Sequence, residues 1–257
     1  MRKYLFVWLK SASLSAQSNL QQKGGALMFI AGKFIRFGFF LLLLILIGER
    51  VSRISGYTLN QMITFFLFFN FFDIFGQAFF RGLYYFRQQV ISGEFDFRLA
   101  KPMNPLFQVL TRHTDILDIP LFIIIMVALV KQAVGMPLQT LGILIVLTAA
   151  GMVIVTAIHV FIAGLGVITT EVDHTMMIYR DLSSMARVPT DIYAPSIRAF
   201  LTFIIPIGIA YTIPAKAFLG ILSSSLIIYS IFASAVFFTT SLLFWRYALT
   251  KYSSASS

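Results

Sequence analysis

The residues that could carry chemistry in this sequence are few and scattered. The nearest approach to a catalytic set is His113 with Asp115 and Asp118. A histidine beside two carboxylates could transfer protons at a membrane surface, as a lipid-processing enzyme requires. Asp115 and Asp118, with Thr114 before them, also suit the start of a helix, where a hydroxyl cap and acidic side chains offset unpaired N–H groups. We favour the interpretation of these residues as the start of a helix, and keep a lipid-processing enzyme as an alternative function.

Metal and nucleotide motifs are absent from the sequence. It has no Cys, and its three His form no metal-ligand spacing. Lys33 follows a glycine, but Leu27 stands where a phosphate-binding loop needs its first Gly, and Phe34 stands where it needs Ser or Thr. We therefore expect no ATP-hydrolysing site and no cofactor in this chain. Energy for any work would come from a partner or from an ion gradient.

Three charged residues lie inside long apolar runs. Lys33 and Arg36 are three residues apart in the first run, and Asp73 lies in the second. If the two runs are antiparallel helices, Lys33 and Asp73 lie at equal depth, so we predict a Lys33/Arg36–Asp73 contact. Alternatively, the two basic side chains reach the headgroups separately. An ion-gradient carrier would need carboxylates at mid-membrane, and only Asp73 is well placed, which makes that alternative weak.

The composition is that of an integral membrane protein. The 257 residues are 58% hydrophobic and 12% charged, with a mean hydropathy of +0.86, against about 25% charged residues in soluble proteins. Six apolar runs are long enough to cross a bilayer. The fourth is too long for one straight crossing and is expected to be tilted, or broken near Gly164 or Gly166. The runs are Ala26–Gly48, Thr58–Phe80, Asp115–Val134, Leu138–Ile168, Ser196–Ile213 and Leu222–Tyr247.

The distribution of basic residues predicts the orientation of these spans. With both termini cytoplasmic, 14 Lys and Arg lie in inner loops and 4 in outer loops, which is the bias expected of a plasma-membrane protein. This count includes Arg180 and Arg187, because Thr169–Pro195 is interpreted as a second cytoplasmic connection. The formal net charge of +10 is explained in the same way, so we expect no nucleic-acid partner.

The remaining segments complete an all-α, single-domain fold over residues 1–257. Residues 1–25 are predicted to form an amphipathic helix on the inner membrane surface, although a polar tail is an alternative. Residues 26–252 form the six-helix membrane domain, and residues 253–257 a frayed tail. Pro206 and Pro214 indicate a kink or partly re-entrant turn near the outer surface, or an ordinary proline kink.

The longest polar stretch between two spans is Tyr84–Gln108. It has helix-forming residues before Gly93 and a charged amphipathic run after it, and Pro102 and Pro105 end that run. It is long enough for a short helix outside the bilayer that contacts a soluble partner. A solvated loop with a Glu94–Arg98 surface pair is the alternative.

The same stretch carries a family resemblance. It contains Gly93-Glu94-Phe95-Asp96-Phe97-Arg98-Leu99-Ala100-Lys101-Pro102-Met103-Asn104-Pro105, and Ile192-Tyr193-Ala194-Pro195 and Tyr211-Thr212-Ile213-Pro214-Ala215 follow later. These elements resemble those of ABC-2-type transporter permeases, six-span subunits of about 260 residues. The resemblance extends over nearly the whole chain. The short outer loops depart from family members that bear outer domains.

The resemblance implies a function. The segment between spans two and three would be a coupling helix that docks on a separate ATPase subunit, present in two copies, which holds the ATP and Mg. A second permease subunit, a related chain or a second copy, would complete the pathway. The cargo would be hydrophobic or amphipathic and would be exported. The implied ATPase-interface residues are Arg87, Gln88, Gly93, Glu94, Phe95, Asp96, Arg98 and Lys101.

Overall fold

The computed structural model describes residues 2–21 and 23–253, and within these ranges the protein is helical, without a β-strand. The predicted all-α membrane fold is confirmed. Twelve α-helices are present in the described part of the chain, joined by short 3₁₀ and π turns. They are α1 (Arg2–Gln21), α2 (Lys23–Arg50), α3 (Leu59–Phe80), α4 (Phe86–Ile91), α5 (Glu94–Leu99), α6 (Pro105–Thr111), α7 (Ile119–Ala133), α8 (Leu138–Thr169), α9 (Val172–Ser184), α10 (Pro195–Ala199), α11 (Ile213–Phe218) and α12 (Ser224–Lys251).

Five of the described helices are long and apolar enough to cross a membrane: α2, α3, α7 with the turn before it, α8 and α12. They match the first four predicted spans and the sixth. We call the end of the bundle that carries residues 81–118 the lower end, and the end that carries the 51–58 loop the upper end. Both names describe position in the bundle only.

Helix α3 is the centre of the bundle, whereas α2 lies at its periphery. Most of the Phe side chains of α3 are buried, including Phe65, Phe66 and Phe72. At the upper end, Thr58 begins α3 with a capping box: its hydroxyl accepts from the N–H of Gln61, and its own N–H donates to the Gln61 side chain. Burial of these aromatic rings provides the main packing surface for the surrounding helices.

Helix α8 is continuous, so the expected break near Gly164 or Gly166 does not occur. The two glycines instead allow close packing. A side chain at Gly164 would meet the ring of Phe244 from α12, and one at Gly166 would meet Val172. Phe161 also packs on Phe244, with ring centroids 5.5 Å apart. Helix α12 therefore runs parallel to α8, from the upper end to the lower end.

The connection after α8 does not stay at the lower end. Its first helical residue, Val172, packs beside Gly166. Midway, the hydroxyls of Tyr179 and Tyr211 are 3.0 Å apart. At its far end, the Tyr57 hydroxyl donates to Asp191 over 2.7 Å. Because Tyr57 lies in the upper loop, residues 172–192 run the full length of α3, and the prediction of a cytoplasmic connection over Thr169–Pro195 is wrong.

The predicted fifth span, Ser196–Ile213, is also wrong as a single crossing. Residues Pro195–Ile204 and Gly208–Phe218 form two arms bent by 88°. The second arm ends at the upper end, where Lys216 pairs with Asp191 and Phe218 packs on Phe68. The first arm begins three residues after Ile192 at the same end, so the pair is a re-entrant hairpin. Pro206 lies in the break, whereas Pro214 lies in the first turn of α11.

The amino-terminal segment is helical, as the sequence predicts, over the described residues of α1. Trp8 stacks on Phe79 with centroids 5.8 Å apart, and Tyr4 packs edge-on against Phe107 at 4.9 Å. Leu5 and Leu9, the next residues along the helix, are exposed. Met1, Gln22 and residues 254–257, which include most of the predicted frayed tail, lie outside the described residues.

Candidate functional site

The lower end carries a folded elbow made of α4 and α5. Helix α4 ends at Ile91, Ser92 caps it, and Gly93 adopts a left-handed conformation with φ of 74° before α5 begins. A residue with a Cβ atom is disfavoured there, which explains the glycine at this position. The return path is fixed by Asn104, whose side chain accepts from the N–H groups of Leu106 and Phe107 at the start of α6.

An aromatic cluster anchors the elbow to the last membrane helix. Phe86 and Phe95 are fully buried, with ring centroids 5.1 Å apart. Phe95 also lies 5.1 Å from Tyr252 and 6.4 Å from Trp245, at the lower end of α12. Burial and the adjacent Asp96 carboxylate raise the pKa of Tyr252 to about 12, so its ring stays neutral. Helix α5 is therefore packed directly against the lower end of α12.

A polar network closes the inner side of the elbow. Arg98 is 1% exposed; it donates to Glu94 at 3.3 Å and to the carbonyl of Gln108. Burial, and then the nearby Arg112, lower the pKa of Arg98, while Glu94 opposes this shift. Arg112 reaches the same Glu94 oxygen at 3.1 Å. Phe95 and Arg98, expected at the ATPase interface, are therefore internal supports of the elbow and not surface contacts.

The outward face of the elbow combines apolar and charged side chains. Phe97 is 72% exposed and Ile91 55% exposed, although both lie at the polar end of the bundle. Of the remaining predicted interface residues, Arg87, Gln88 and Lys101 are exposed on the same segment, and Asp96 and Gly93 are partly exposed. We call Arg87, Gln88, Ile91, Phe97 and Lys101 the elbow face.

Helix α1 holds the far side of the elbow. The Lys3 ammonium donates to the carbonyl of Pro102 over 3.1 Å, and the N–H of Asn104 donates to the Tyr4 hydroxyl over 3.3 Å. The amino-terminal helix and the elbow thus form one connected surface at the lower end.

The structure divides the predicted intramembrane charge cluster. Arg36 lies 3.9 Å from Asp73, whose carboxylate also accepts from Gln77 over 2.7 Å. Lys33, however, pairs with the fully buried Asp118, so the expected Lys33–Asp73 contact is wrong. The reason is that Asp118 lies in the 3₁₀ turn Ile116–Asp118 just before α7, and this turn packs against α2. The sequence contains a signal for this pair, because Lys33 lies near the start of the first apolar run and Asp118 lies near the start of the third.

The residues considered for lipid-processing chemistry do not form a free catalytic set. Asp118 is occupied by Lys33, and Asp115 caps the N–H of Leu117 and lies 3.7 Å from Arg81. His113 packs on Tyr85, and burial, followed by Arg112 and Arg98, lowers its pKa. Within residues 2–21 and 23–253, no group of three His, Asp or Glu side chains could hold a metal ion.

Comparison with known protein families decides the class of this protein. Residues 34–256, well over half of the chain, match the family described as ABC-2 family transporter protein. The chain belongs to the ABC-2 transporter family. This ABC-2 protein is accordingly a multi-pass membrane subunit of a transporter rather than an enzyme, and the family implies an ABC ATPase as its partner. Comparisons with curated proteins and with solved structures give no match.

Two features of the ABC-2 protein could not be located by sequence reasoning. Trp245 and Tyr252, which support the elbow, are predicted only as part of the membrane domain, although aromatic residues at a membrane boundary are a recognisable signal. Arg180 and Arg187 were assigned to a loop because charged residues surround them. Their true position beside α3 depends on the path of α9, and no local pattern reveals that path.

Proposed function

We propose that this protein is the permease subunit of an ATP-driven exporter and that it couples to a separate ATPase subunit through the elbow in Tyr84–Gln108. The observation that carries this proposal is the exposed Phe97, surrounded by charges, on a segment that is otherwise rigidly packed. Exposing such a ring to water costs about 1.5–3 kcal/mol relative to burying it. A cleft in a soluble partner would bury Phe97 and Ile91 and pair the surrounding charges.

In the proposed mechanism, nucleotide binding brings two ATPase subunits together and moves the elbows docked on them. The ATP and Mg belong to those subunits. Because α5 packs on α12 through Phe95, and α12 packs along α8, the movement reaches the membrane helices without a flexible link. The pathway lies between this permease and a second permease subunit, a related chain or a second copy. The cargo is hydrophobic or amphipathic.

The proposed orientation has both termini on the cytoplasmic side of the plasma membrane. Basic residues remain concentrated at the lower end even after Arg180, Arg187 and Arg198 are reassigned, because the elbow, α1 and the end of α12 carry most of the others. The lower end is then where a cytoplasmic ATPase would dock.

The test is to extract the full-length permease with its native complex in mild detergent and to measure bound ATP-hydrolysing activity. Phe97→Ala should reduce the ATPase retained by roughly tenfold or more, since about 1.5–3 kcal/mol of burial is lost. Phe6→Ala is the matched control, because Phe6 is 66% exposed on α1 and lies at the same end. Equal retention by both variants, or no ATPase with the unaltered protein, would contradict the proposal. Substitution of Arg98 would not be informative, because it would unfold the elbow.

A further inference from the structure

Two cavities meet between α2, α3 and α9, and they differ in chemical character. The first, about 270 Å³, is lined by Arg36, Asp73, Arg180, Asp181 and Arg187 together with Gln77. The second, about 410 Å³, is lined mainly by aromatic and aliphatic side chains, among them Phe37, Phe40 and Phe66. Arg36, Phe69 and Arg187 line both cavities, so the polar chamber opens into the apolar one.

The polar chamber has an excess of positive charge. Three arginines face two aspartates, and one of those aspartates, Asp73, is already shared between Arg36 and Gln77. In the part of the chain that the structure describes, Arg187 makes no salt bridge. Its guanidinium instead lies 5.6 Å from the ring centroids of both Phe40 and Phe69. These cation–π contacts hold the guanidinium in place and leave its N–H groups available to an anion.

The position of the cluster makes this positive charge costly without a ligand. Arg36 lies 13 residues after the start of α2, about 20 Å along the helix. Arginines at such depth normally face protein or water and mark a substrate pathway. A bound anionic group would offset the charge, because a guanidinium fork matches carboxylate or phosphate oxygens.

The apolar chamber indicates what the anion is attached to. Phe39 and Leu43 on its wall are 69% and 49% exposed, on the outer side of the peripheral helix α2. The chamber therefore opens toward the surface that faces lipid. A molecule in the bilayer could place an apolar chain among Phe37, Phe40 and Phe66 and its charged head at Arg36 and Arg187.

We propose that this joined cavity binds an anionic amphiphile, with its acidic head on Arg36 and Arg187 and its apolar part among the aromatic rings. The inference rests on the proposed transport function and narrows its cargo from amphipathic molecules in general to those that carry a negative charge. The second permease subunit is the alternative occupant of this face, and it is an outcome of the test below.

The test uses the full-length permease, purified alone in a neutral maltoside detergent, and two fluorescent probes with the same acyl chain. One is a lysophosphatidic acid and the other is the zwitterionic lysophosphatidylcholine. The unaltered protein should bind the acidic probe at least tenfold more tightly. Arg187→Gln and Arg36→Gln should each remove most of this preference, while Arg53→Gln, an exposed upper-loop arginine, should retain it. Phe40→Ala should weaken the binding of both probes.

Folding and assembly are checked on the same samples by thermal unfolding and size-exclusion chromatography. The proposal is overturned if folded Arg187→Gln keeps the full preference, or if the unaltered protein binds both probes equally. It is also overturned if the permease is a dimer whose cavity excludes both probes. The two proposals are tested independently. No ATPase is present in the binding experiment, so a missing preference for the acidic probe does not contradict coupling through the elbow. Likewise, a negative result with Phe97→Ala does not change the result of probe binding.

Discussion

At the residue scale, charged side chains are used in two different ways. Lys33 and Asp118 are a buried pair that joins α2 to the start of α7, whereas Arg87 and Asp173 are about half exposed and lie 3.7 Å apart at the lower end. A buried charge that loses its partner remains desolvated and uncompensated, but an exposed one is rehydrated. The two pairs should therefore respond very differently to the loss of one member.

Replacing Asp118 with Asn should lower the free energy of unfolding by about 3–5 kcal/mol, because the Lys33 ammonium stays buried alone. Asp173→Asn is the matched control and should cost about 0–1 kcal/mol. Thermal unfolding of the purified variants in detergent measures both. The double replacement Lys33→Met with Asp118→Leu should recover most of the loss. Equal effects of D118N and D173N would show that the buried pair is not structural.

At the element scale, close backbone approach fixes how the lower turns dock. Gly82 lies in the 3₁₀ turn after α3, and a Cβ atom there would lie 2.3 Å from the backbone carbonyl oxygen of Val109 in α6. A carbonyl oxygen held within a helix cannot rotate away as a side chain can. Helix α6, which follows the elbow, is therefore held against the turn after α3 through a contact that tolerates only glycine.

Gly82→Ala should destabilise the protein by about 1–3 kcal/mol, because α6 must shift to admit the methyl group. Gly32→Ala is the control: it lies in α2 with open space around it, and alanine there should leave stability unchanged or raise it by up to about 1 kcal/mol. Unfolding midpoints of the two variants compare them directly. A G82A protein as stable as G32A would mean that α6 is not held against this turn.

At the scale of the whole molecule, the path of residues 172–218 differs most from the sequence expectation. A polar segment runs beside α3 to the upper end, and the apolar segment after it turns back as a hairpin. Arg180, Asp181 and Arg187 of the first segment line an open polar cavity, so this segment need not be apolar to lie beside α3. Because the hairpin begins and ends at the upper end, α12 returns from there to the lower end, parallel to α8.

This path predicts the side from which introduced cysteines react. The sequence contains no Cys, so single variants can be labelled in intact cells with a membrane-impermeant maleimide. Ser196→Cys should label from the same side as Ser52→Cys in the upper loop, and Ser92→Cys on the elbow should label from the other side. All three serines are exposed. If Ser196→Cys labels from the same side as Ser92→Cys, the hairpin is wrong and Ser196–Ile213 is a straight span.

Local sequence patterns are enough to predict the membrane class, the approximate bounds of α2, α3, α8 and α12, and the turn at Gly93. Each of these depends on local properties: long apolar runs, a cap such as Thr58, or a glycine followed by a charged amphipathic turn. The hydropathy of a segment also separates a membrane span from a loop where the span is surrounded by lipid. The ABC-2 resemblance, carried by Gly93 to Pro105, was confirmed by the family comparison.

Helix packing, by contrast, sets which charges meet and which polar segment runs along the bundle. The sequence favours Asp73 as the partner of Lys33, but the packing of the 3₁₀ turn 116–118 against α2 places Asp118 there instead. Phe95 and Arg98 look like surface residues in sequence but are buried, because α12 and α6 cover them. Hydropathy reports transfer from water to lipid, and a side chain that faces a protein cavity or a partner helix is in neither solvent.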